Sequence, residues 1–501
     1  MLPPEEFAEE MLSLLPYTPN VQQRCVAHAL ARFCASPRED VVFILNGYAG
    51  TGKTSLTGAL VRMLEASGVK CMLMAPTGRA AKVFSANSGG HPAWTIHRKI
   101  YRHSPSGGAP GDGPVAQGGR APAITRDNTA SNMVFIVDEA SMIGGDGSGG
   151  LLEDLVTYVY SGTNCRMILV GDTAQLPPVG SQRSPAMNPD VLRGYGLRVS
   201  AATLTETARQ AADSGILFNA TRLRRAMLAC ARACAEAADE NAVADSAAKF
   251  IPHLRARGLD DVRLITESDE LPELVDRAFR EDGMSETIII TRSNRRALEF
   301  NLGVRNEVLY REERLSPDDL LIVAKNHYFP GAKPKGVDFI ANGDILRVEK
   351  VYGTETKYGI CFADVAVTIG EAVTFDTKII LDGLYSENAA LSSEQYSNLY
   401  YGILYDPALF APDTPADARL RALASNPYWH ALQVKFAYAV TCHKAQGGQW
   451  RNVFIDLSYI PAEALGLELY RWLYTAVTRA RKNLYLIAPP EALIEGGTDS
   501  D

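Results

Sequence analysis

Short apolar runs that end in polar or glycine-rich sequence recur along this chain. "VVFILNGYAGTGKTSL" (41–56), "KCMLM" (70–74), "MVFIVDEASMI" (133–143), "RMILVGDTAQLPPVG" (166–180), "ETIIITRSN" (286–294) and "FAYAV" (436–440) each contain such an apolar run, in three of them after a leading charged residue. Such runs predict strands buried on both faces, as in a parallel sheet, and the helical periodicity that follows several of them predicts an α/β protein. Residues 208–242 read as a linker turn and then a long helix. Near the end, Leu469, Leu473 and Val477 follow i, i+4 spacing and predict a helix with Arg479 on a different face, beside Thr475. Between these parts the pattern changes. Residues 339–369 and 374–384 alternate with a period of two between glycine turns, which predicts a small antiparallel barrel. The stretch 385–430 is polar, with Tyr and Pro, and predicts no role. At 501 residues the chain is long enough for two to four domains.

Chemistry gathers where the apolar runs end. Gly47, Gly52, Lys53 and Thr54 have the spacing of a phosphate-binding loop. Its glycines let backbone N–H groups point inward, the helix N-terminus adds positive dipole, Lys53 reaches the β/γ phosphates, and Thr54 ligates Mg²⁺. Asp138 and Glu139 end the run "MVFIV". At the carboxyl end of a parallel strand, Asp138 is placed to hold Mg²⁺ and Glu139 to orient or deprotonate an attacking water. Gln175, beyond the run "RMILV", carries an amide able to meet a γ-phosphate or that water.

Composition changes the picture in one place. Net charge is −8, which argues against a general polyanion-binding surface, yet residues 76–132 hold seven Lys/Arg (79, 82, 98, 99, 102, 120, 126) and two acids (112, 127), so basic charge is concentrated locally. The eight cysteines form no CxxC pair, and neither a metal cluster nor a disulfide framework is expected. The acidic start and the lack of a long apolar run predict a cytoplasmic protein without a membrane span.

Taken in order, "GYAGTGKT" (47–54), "APTGRAAK" (75–82), "TIHR" (95–98), "VDEASM" (137–142), "GDTAQLPPVG" (171–180), "LTETARQ" (204–210), "AVTCHKAQGGQW" (439–450) and "YTAVTRAR" (474–481) resemble the motifs of superfamily 1 helicases of the RecD/Dda branch. The resemblance implies two RecA-like P-loop domains with parallel sheets, an SH3-like barrel inserted in the second lobe and a short insertion in the first. The borders it implies are 1–210 for lobe one with its insertion at about 99–132, 211–344 and 431–501 for lobe two, and 345–430 for the barrel. It implies an ATP-dependent, Mg²⁺-requiring motor that moves 5′→3′ on single-stranded DNA and unwinds tailed duplex. Two other readings stay open: a DNA-stimulated ATPase subunit working with recombination or repair proteins, and an ATP-switched nucleic-acid-binding protein without unwinding.

By the same resemblance, Gln23 meets the adenine edge, with Gln22 as the alternative. Gly47, Ala49, Gly50, Thr51, Gly52, Lys53, Thr54 and Ser55 cradle the phosphates, and Arg209 and Arg479 contact the γ-phosphate, Arg479 as an arginine finger. The role of Arg481 stays open. DNA contacts are implied for Thr77, Gly78, Arg79, Thr95 and His97 in lobe one, and for Arg292, Asn294, Thr441, His443 and Lys444 in lobe two. Ala445 stands where relatives often have Ser. Residues 103–132 match the place of a strand-separating hairpin but contain no Phe, Tyr or Trp, which favours translocation over efficient unwinding.

Overall fold

The run Val41–Gly47 forms a strand in which every residue but Asn46 is buried, as expected of a strand covered on both faces. In the computed structural model, which describes residues 2–102, 124–145, 150–206, 214–236, 250–329, 333–334, 337, 339–370, 373–388, 390–461 and 464–496, it lies within a six-stranded sheet. The order across that sheet is Ala93–Thr95, Lys70–Ala75, Met133–Val137, Arg166–Gly171, Val41–Gly47, Arg198–Leu204. All neighbours are parallel, with Ile44 opposite Leu169 on one side and Ala201 on the other. Parallel pairing sends every carboxyl end to one edge, so the residues after each run meet there. Helices Pro4–Ser13, Val21–Cys34 and Lys53–Ala66 share a core with the sheet, in which Phe7, Leu30, Leu60, Phe43, Leu45 and Ile168 are buried.

The chain divides into two compact units. The first comprises Met1–Ile100, Thr125–Ser268 and Ala445–Asp501, and the second Tyr101–Ile124 and Asp269–Lys444. Besides the six-stranded sheet, the first unit holds Trp450–Asp456, Ala480–Ile487 and Val262–Ile265, paired in parallel in that order. It also holds the predicted C-terminal helix, which runs from Leu467 to Val477. The helix Gly215–Glu236 starts at Asp261, whose carboxylate accepts from the backbone N–H groups of Gly215 (2.9 Å) and Ile216 (3.2 Å).

In the second unit, Thr287–Thr291 pairs in parallel with Ala439–Thr441. The alternating segment folds as predicted into Ile345–Lys357, Ile360–Ile369 and Val373–Ile380, and Leu320–Val323 and Leu432–Phe436 close these three into a five-stranded barrel. The long strand Ile345–Lys357 carries two register shifts against its neighbour, at Val348/Lys350 and Val351/Gly353. Part of the unassigned stretch 385–430 forms helices Ser393–Leu404 and Ala416–Leu423, whose Leu399, Ile403 and Leu423 pack with Ile360, Phe362 and Ile380 of the barrel. The α/β class, with two parallel sheets and an added barrel, is thus what the structure shows. No helix among the described residues is long and apolar enough to cross a membrane.

One polar cluster lies inside the second unit. Asp319, fully buried just before the first barrel strand, accepts from Arg305 through Nε and Nη2 (3.1 Å each), Arg311 Nη1 (2.6 Å), the Tyr438 hydroxyl (2.9 Å) and the Ser316 N–H (2.8 Å). Arg305 belongs to a π-helical turn, Val304–Val308, that continues the helix Asn294–Gly303.

Candidate active site

The loop after Val41–Gly47 turns through Gly50 (φ 73°) and Gly52 (φ 83°), a left-handed backbone that favours glycine, and enters the helix Lys53–Ala66. A Cβ at Gly52 would stand 2.4 Å from the Tyr17 hydroxyl and 2.7 Å from Gln23 Nε2, so no other residue fits there without displacing both. The helix N-terminus and its N–H donors form an anion cradle. Lys53 Nζ donates to the carbonyls of Gly47 and of Tyr48 (3.0 Å), and Thr51, fully buried, donates its hydroxyl to the same Tyr48 carbonyl at 2.7 Å. Thr54 and Ser55 begin the helix, half-buried.

Gln23 is 1% exposed and already committed. Its Oε1 accepts from the Asn20 N–H at 3.0 Å in a capping box, and its Nε2 donates to the Thr51 carbonyl at 3.0 Å. The structure therefore places it behind the loop as a brace. Gln22 is engaged with Thr205 and Glu206.

Two strands away, Asp138 and Glu139 follow Met133–Val137. Asp138 Oδ1 accepts from the Glu139 N–H at 2.9 Å, and Glu139 adopts φ 51°. Burial, and then the neighbouring Glu139 charge, push the Asp138 carboxyl up to about 7, against the opposing charge of Lys53. Arg479 lies just past the C-terminal helix and is 3% exposed, where an arginine on an open helix face would be solvated. Its Nη1 stands 3.9 Å from Glu139 Oε1, and its guanidinium is fixed by the Thr475 carbonyl (3.0 Å), the Gly448 carbonyl (3.2 Å) and the Thr478 hydroxyl (3.1 Å).

The C-terminal helix supplies two more groups that sequence reasoning missed. The Tyr474 hydroxyl accepts from the Ala49 N–H of the glycine loop at 2.8 Å, and Thr475 Oγ1 accepts from the Leu176 N–H at 2.8 Å. Gln446 Nε2 donates to the Leu176 carbonyl at 2.8 Å, so Leu176 is held at both its N–H and its carbonyl. Next to it, Gln175 is 7% exposed and its Oε1 has no hydrogen-bond partner among the described residues. An orphan buried acceptor is a costly feature, and it suits a donor such as water better than a phosphate oxygen. Arg209 lies outside the described residues, as do residues 103–123 of the predicted 103–132 insertion.

The basic segment is also built in. Thr77 caps the helix Gly78–Asn87 through the Ala80 N–H (3.2 Å), Gly78 is buried, and Arg79 lies 3.8 Å over the Trp450 ring while donating to the Gln449 carbonyl at 3.3 Å. Thr95 is buried, His97 is half-buried on the short helix Ile96–Ile100, and Arg98 stacks over Trp94 at 4.1 Å. Burial, and then the charge of Arg126, lower the proton affinity of both Arg98 and Lys99. In the second unit, Thr291 and Thr441 are in register, so Arg292, Asn294, His443 and Lys444 follow the carboxyl ends of two adjacent strands. Arg292, Asn294 and His443 are exposed, and burial lowers Lys444.

Gly448 shows how tight this packing is. A Cβ there would sit 2.4 Å from the Trp450 ring and 3.0 Å from Arg79 Nε. We expect Gly448→Ala to cost about 1–3 kcal/mol by overpacking, measured as a shift in the urea unfolding midpoint; an unchanged midpoint would show that the ring relaxes freely.

Comparison with known proteins gives matches to parts of the chain. Residues 19–246 match the AAA domain family and residues 436–487 the UvrD-like helicase C-terminal domain. The ATP-dependent RecD2 DNA helicase of Deinococcus radiodurans is 33% identical over 182 residues, which are 35% of this chain and 20% of that protein; the chain thus matches about one fifth of the relative's length. Among solved structures, Bacteroides Pif1 helicase bound to single-stranded DNA aligns over 96% of this chain and 94% of its own at 17% identity and a TM-score of 0.42. Candida albicans Pif1 helicase aligns over 96% and 97% at 16% identity and a TM-score of 0.37. The AAA-domain match, the UvrD-like helicase C-terminal match and the RecD2 relative are thus what parts of this chain are similar to, in line with the resemblance of its ordered motifs to superfamily 1 helicases of the RecD/Dda branch.

Proposed function

We propose that the chain is an ATP-driven DNA translocase and helicase that moves 5′→3′ on single-stranded DNA and acts in the cytoplasm. The observation that carries this reading is the convergence of Tyr474, Thr475 and Arg479, all from "YTAVTRAR", on the glycine loop, the Leu176 loop and Glu139. A phosphate-binding loop alone needs no arginine near its acidic strand end. An enzyme that cleaves the β–γ bond does, because negative charge on the transferring phosphoryl must be met.

In this reading Lys53 and the loop N–H groups of residues 49–55 bind the phosphates. The residues present fit Mg²⁺: the hydroxyl of Thr54 and the carboxylate of Asp138 would hold it, and it would supply charge neutralisation between the β and γ phosphates. Glu139 takes a proton from the attacking water, Gln175 Oε1 accepts from that water, and Arg479, with Arg209, stabilises the γ-phosphoryl. Lobe one is assigned to 1–210, lobe two to 211–344 and 431–501, and a DNA-gripping insert to 345–430. Thr77, Gly78, Arg79, Thr95 and His97 in the first unit, and Arg292, Asn294, Thr441, His443 and Lys444 in the second, are each assigned contacts with the DNA backbone, which position without reading sequence.

The test is steady-state ATP hydrolysis by the purified protein at low salt, with and without a single-stranded oligonucleotide. Strong stimulation is expected, followed by displacement on duplexes with a 5′ tail and not a 3′ tail. Hydrolysis indifferent to DNA would reduce the reading to a generic ATPase.

A further inference from the structure

Tyr474 is a buried hydroxyl placed at the phosphate-binding loop by a helix more than 400 residues away in sequence. We infer that Tyr474, oriented by Asp172, is a positioning residue that sets the 48–49 peptide of the loop and through it the Lys53 ammonium. This rests on the nucleotide-binding reading above and adds to it a residue and a direction of effect.

The argument follows the hydrogens. Tyr474 Oη donates its one proton to Asp172 Oδ2 at 2.7 Å, which leaves a lone pair for the Ala49 N–H at 2.8 Å. Asp172 is 1% exposed and fixed in turn, its Oδ1 accepting from the Ala174 N–H at 2.9 Å, so the direction of the hydroxyl is not free. Burial, and then the Asp172 charge, raise the Tyr474 hydroxyl well above its ordinary value, so it keeps that proton at any working pH. The peptide whose N–H it receives is the one whose carbonyl, that of Tyr48, accepts from Lys53 Nζ (3.0 Å) and from Thr51 Oγ1 (2.7 Å). A peptide is planar, so fixing its N–H fixes its carbonyl. Tyr474 and Lys53 therefore grip opposite ends of one rigid plate. The same helix leads into Arg479. Its tyrosine thus sets the loop that binds phosphate, while its far end brings the arginine to Glu139.

Tyr474→Phe keeps the ring and removes the hydroxyl, and with it both the acceptor for the Ala49 N–H and the donor to Asp172. Since an unsatisfied loop N–H leaves the plate free to turn, we expect the Kd for a fluorescent ATP analogue and the KM for ATP to rise about tenfold, with kcat at saturation within about twofold of wild type. Asp172→Asn should move both constants in the same direction by a smaller factor. Its Oδ1 stays with the Ala174 N–H, so its amide N–H₂ faces Tyr474 and competes for the lone pair. Should Tyr474→Phe fail to fold, Asp172→Asn carries the test alone. A kcat loss with unchanged KM, or constants equal to wild type in both variants, would overturn the inference. Lys53→Ala separates the two levels: if wild type and Lys53→Ala are alike in failing to bind the analogue, the nucleotide reading itself falls. If wild type binds and Tyr474→Phe binds equally well, only the role of Tyr474 does.

Discussion

Replacing Arg479 by alanine is expected to lower kcat for ATP by about 10³-fold or more, while nucleotide binding, measured separately with a fluorescent analogue, stays within a few fold of wild type. The argument is geometric. The guanidinium is buried and carries three fixed hydrogen bonds, and its Nη1, which donates to the Gly448 carbonyl, lies 3.9 Å from the Oε1 of Glu139, the carboxylate proposed above to act on the attacking water. A side chain held this firmly acts as a preorganised positive charge, most valuable when negative charge develops on the transferring group and of little use to the ground state. Arg479→Lys should recover only a small part of the loss, because a point charge cannot span the Thr475, Gly448 and Thr478 oxygens at once. Near-normal turnover in Arg479→Ala, with folding confirmed, would mean that another cation supplies the charge and that Arg479 is a packing residue.

The second large effect concerns stability. Asp319→Ala leaves the buried guanidinium of Arg305 and the adjoining Arg311 without their shared carboxylate, and removal of one partner from such a cluster costs about 3–5 kcal/mol. The Tyr438 hydroxyl and the Ser316 N–H also lose an acceptor. We expect the unfolding transition of the second unit to move to clearly lower urea. Asp319→Asn keeps the shape but not the charge, and should fall between wild type and alanine. A shift below about 1 kcal/mol in Asp319→Ala would show that solvent reaches the cluster and that the arginines do not depend on Asp319.

How much of this was legible beforehand depends on distance along the chain. The glycine loop, the acidic strand end and the strand carrying Gln175 are local patterns, each a run with its own turn, and they fold as read. Three of the five barrel strands show their alternation openly. The other two do not: Leu320–Val323 is four apolar residues with no period to reveal, and Leu432–Phe436 reads equally well as the start of the next sheet. Arg479 was legible only through motif order, since periodicity put it on an open face and tertiary packing buries it. Tyr474 and Thr475 gave no local signal at all, being ordinary buried positions of an amphipathic helix whose partners lie about 300 to 425 residues away. Gln23 shows a structural use alongside the one the resemblance implies. Its capping box with Asn20 is a spacing any helix start can carry, and that structural use is the one the geometry displays.

The long barrel strand Ile345–Lys357 has a consequence for association between molecules. On one side it pairs throughout with Ile360–Ile369; on the other, among the described residues, Ile345–Arg347 meet Leu320–Ile322 and the Val348 backbone bonds to Asp318 and Asp319, and Lys350–Lys357 follow as a sheet edge. Such an edge invites strand addition by a second chain. Here it is crossed by the two register shifts, which bend and twist it, and studded with Lys350, Glu355 and Lys357. The hairpin can therefore reach outward from the barrel while remaining a poor template for another strand, and whatever it grips it must grip with side chains.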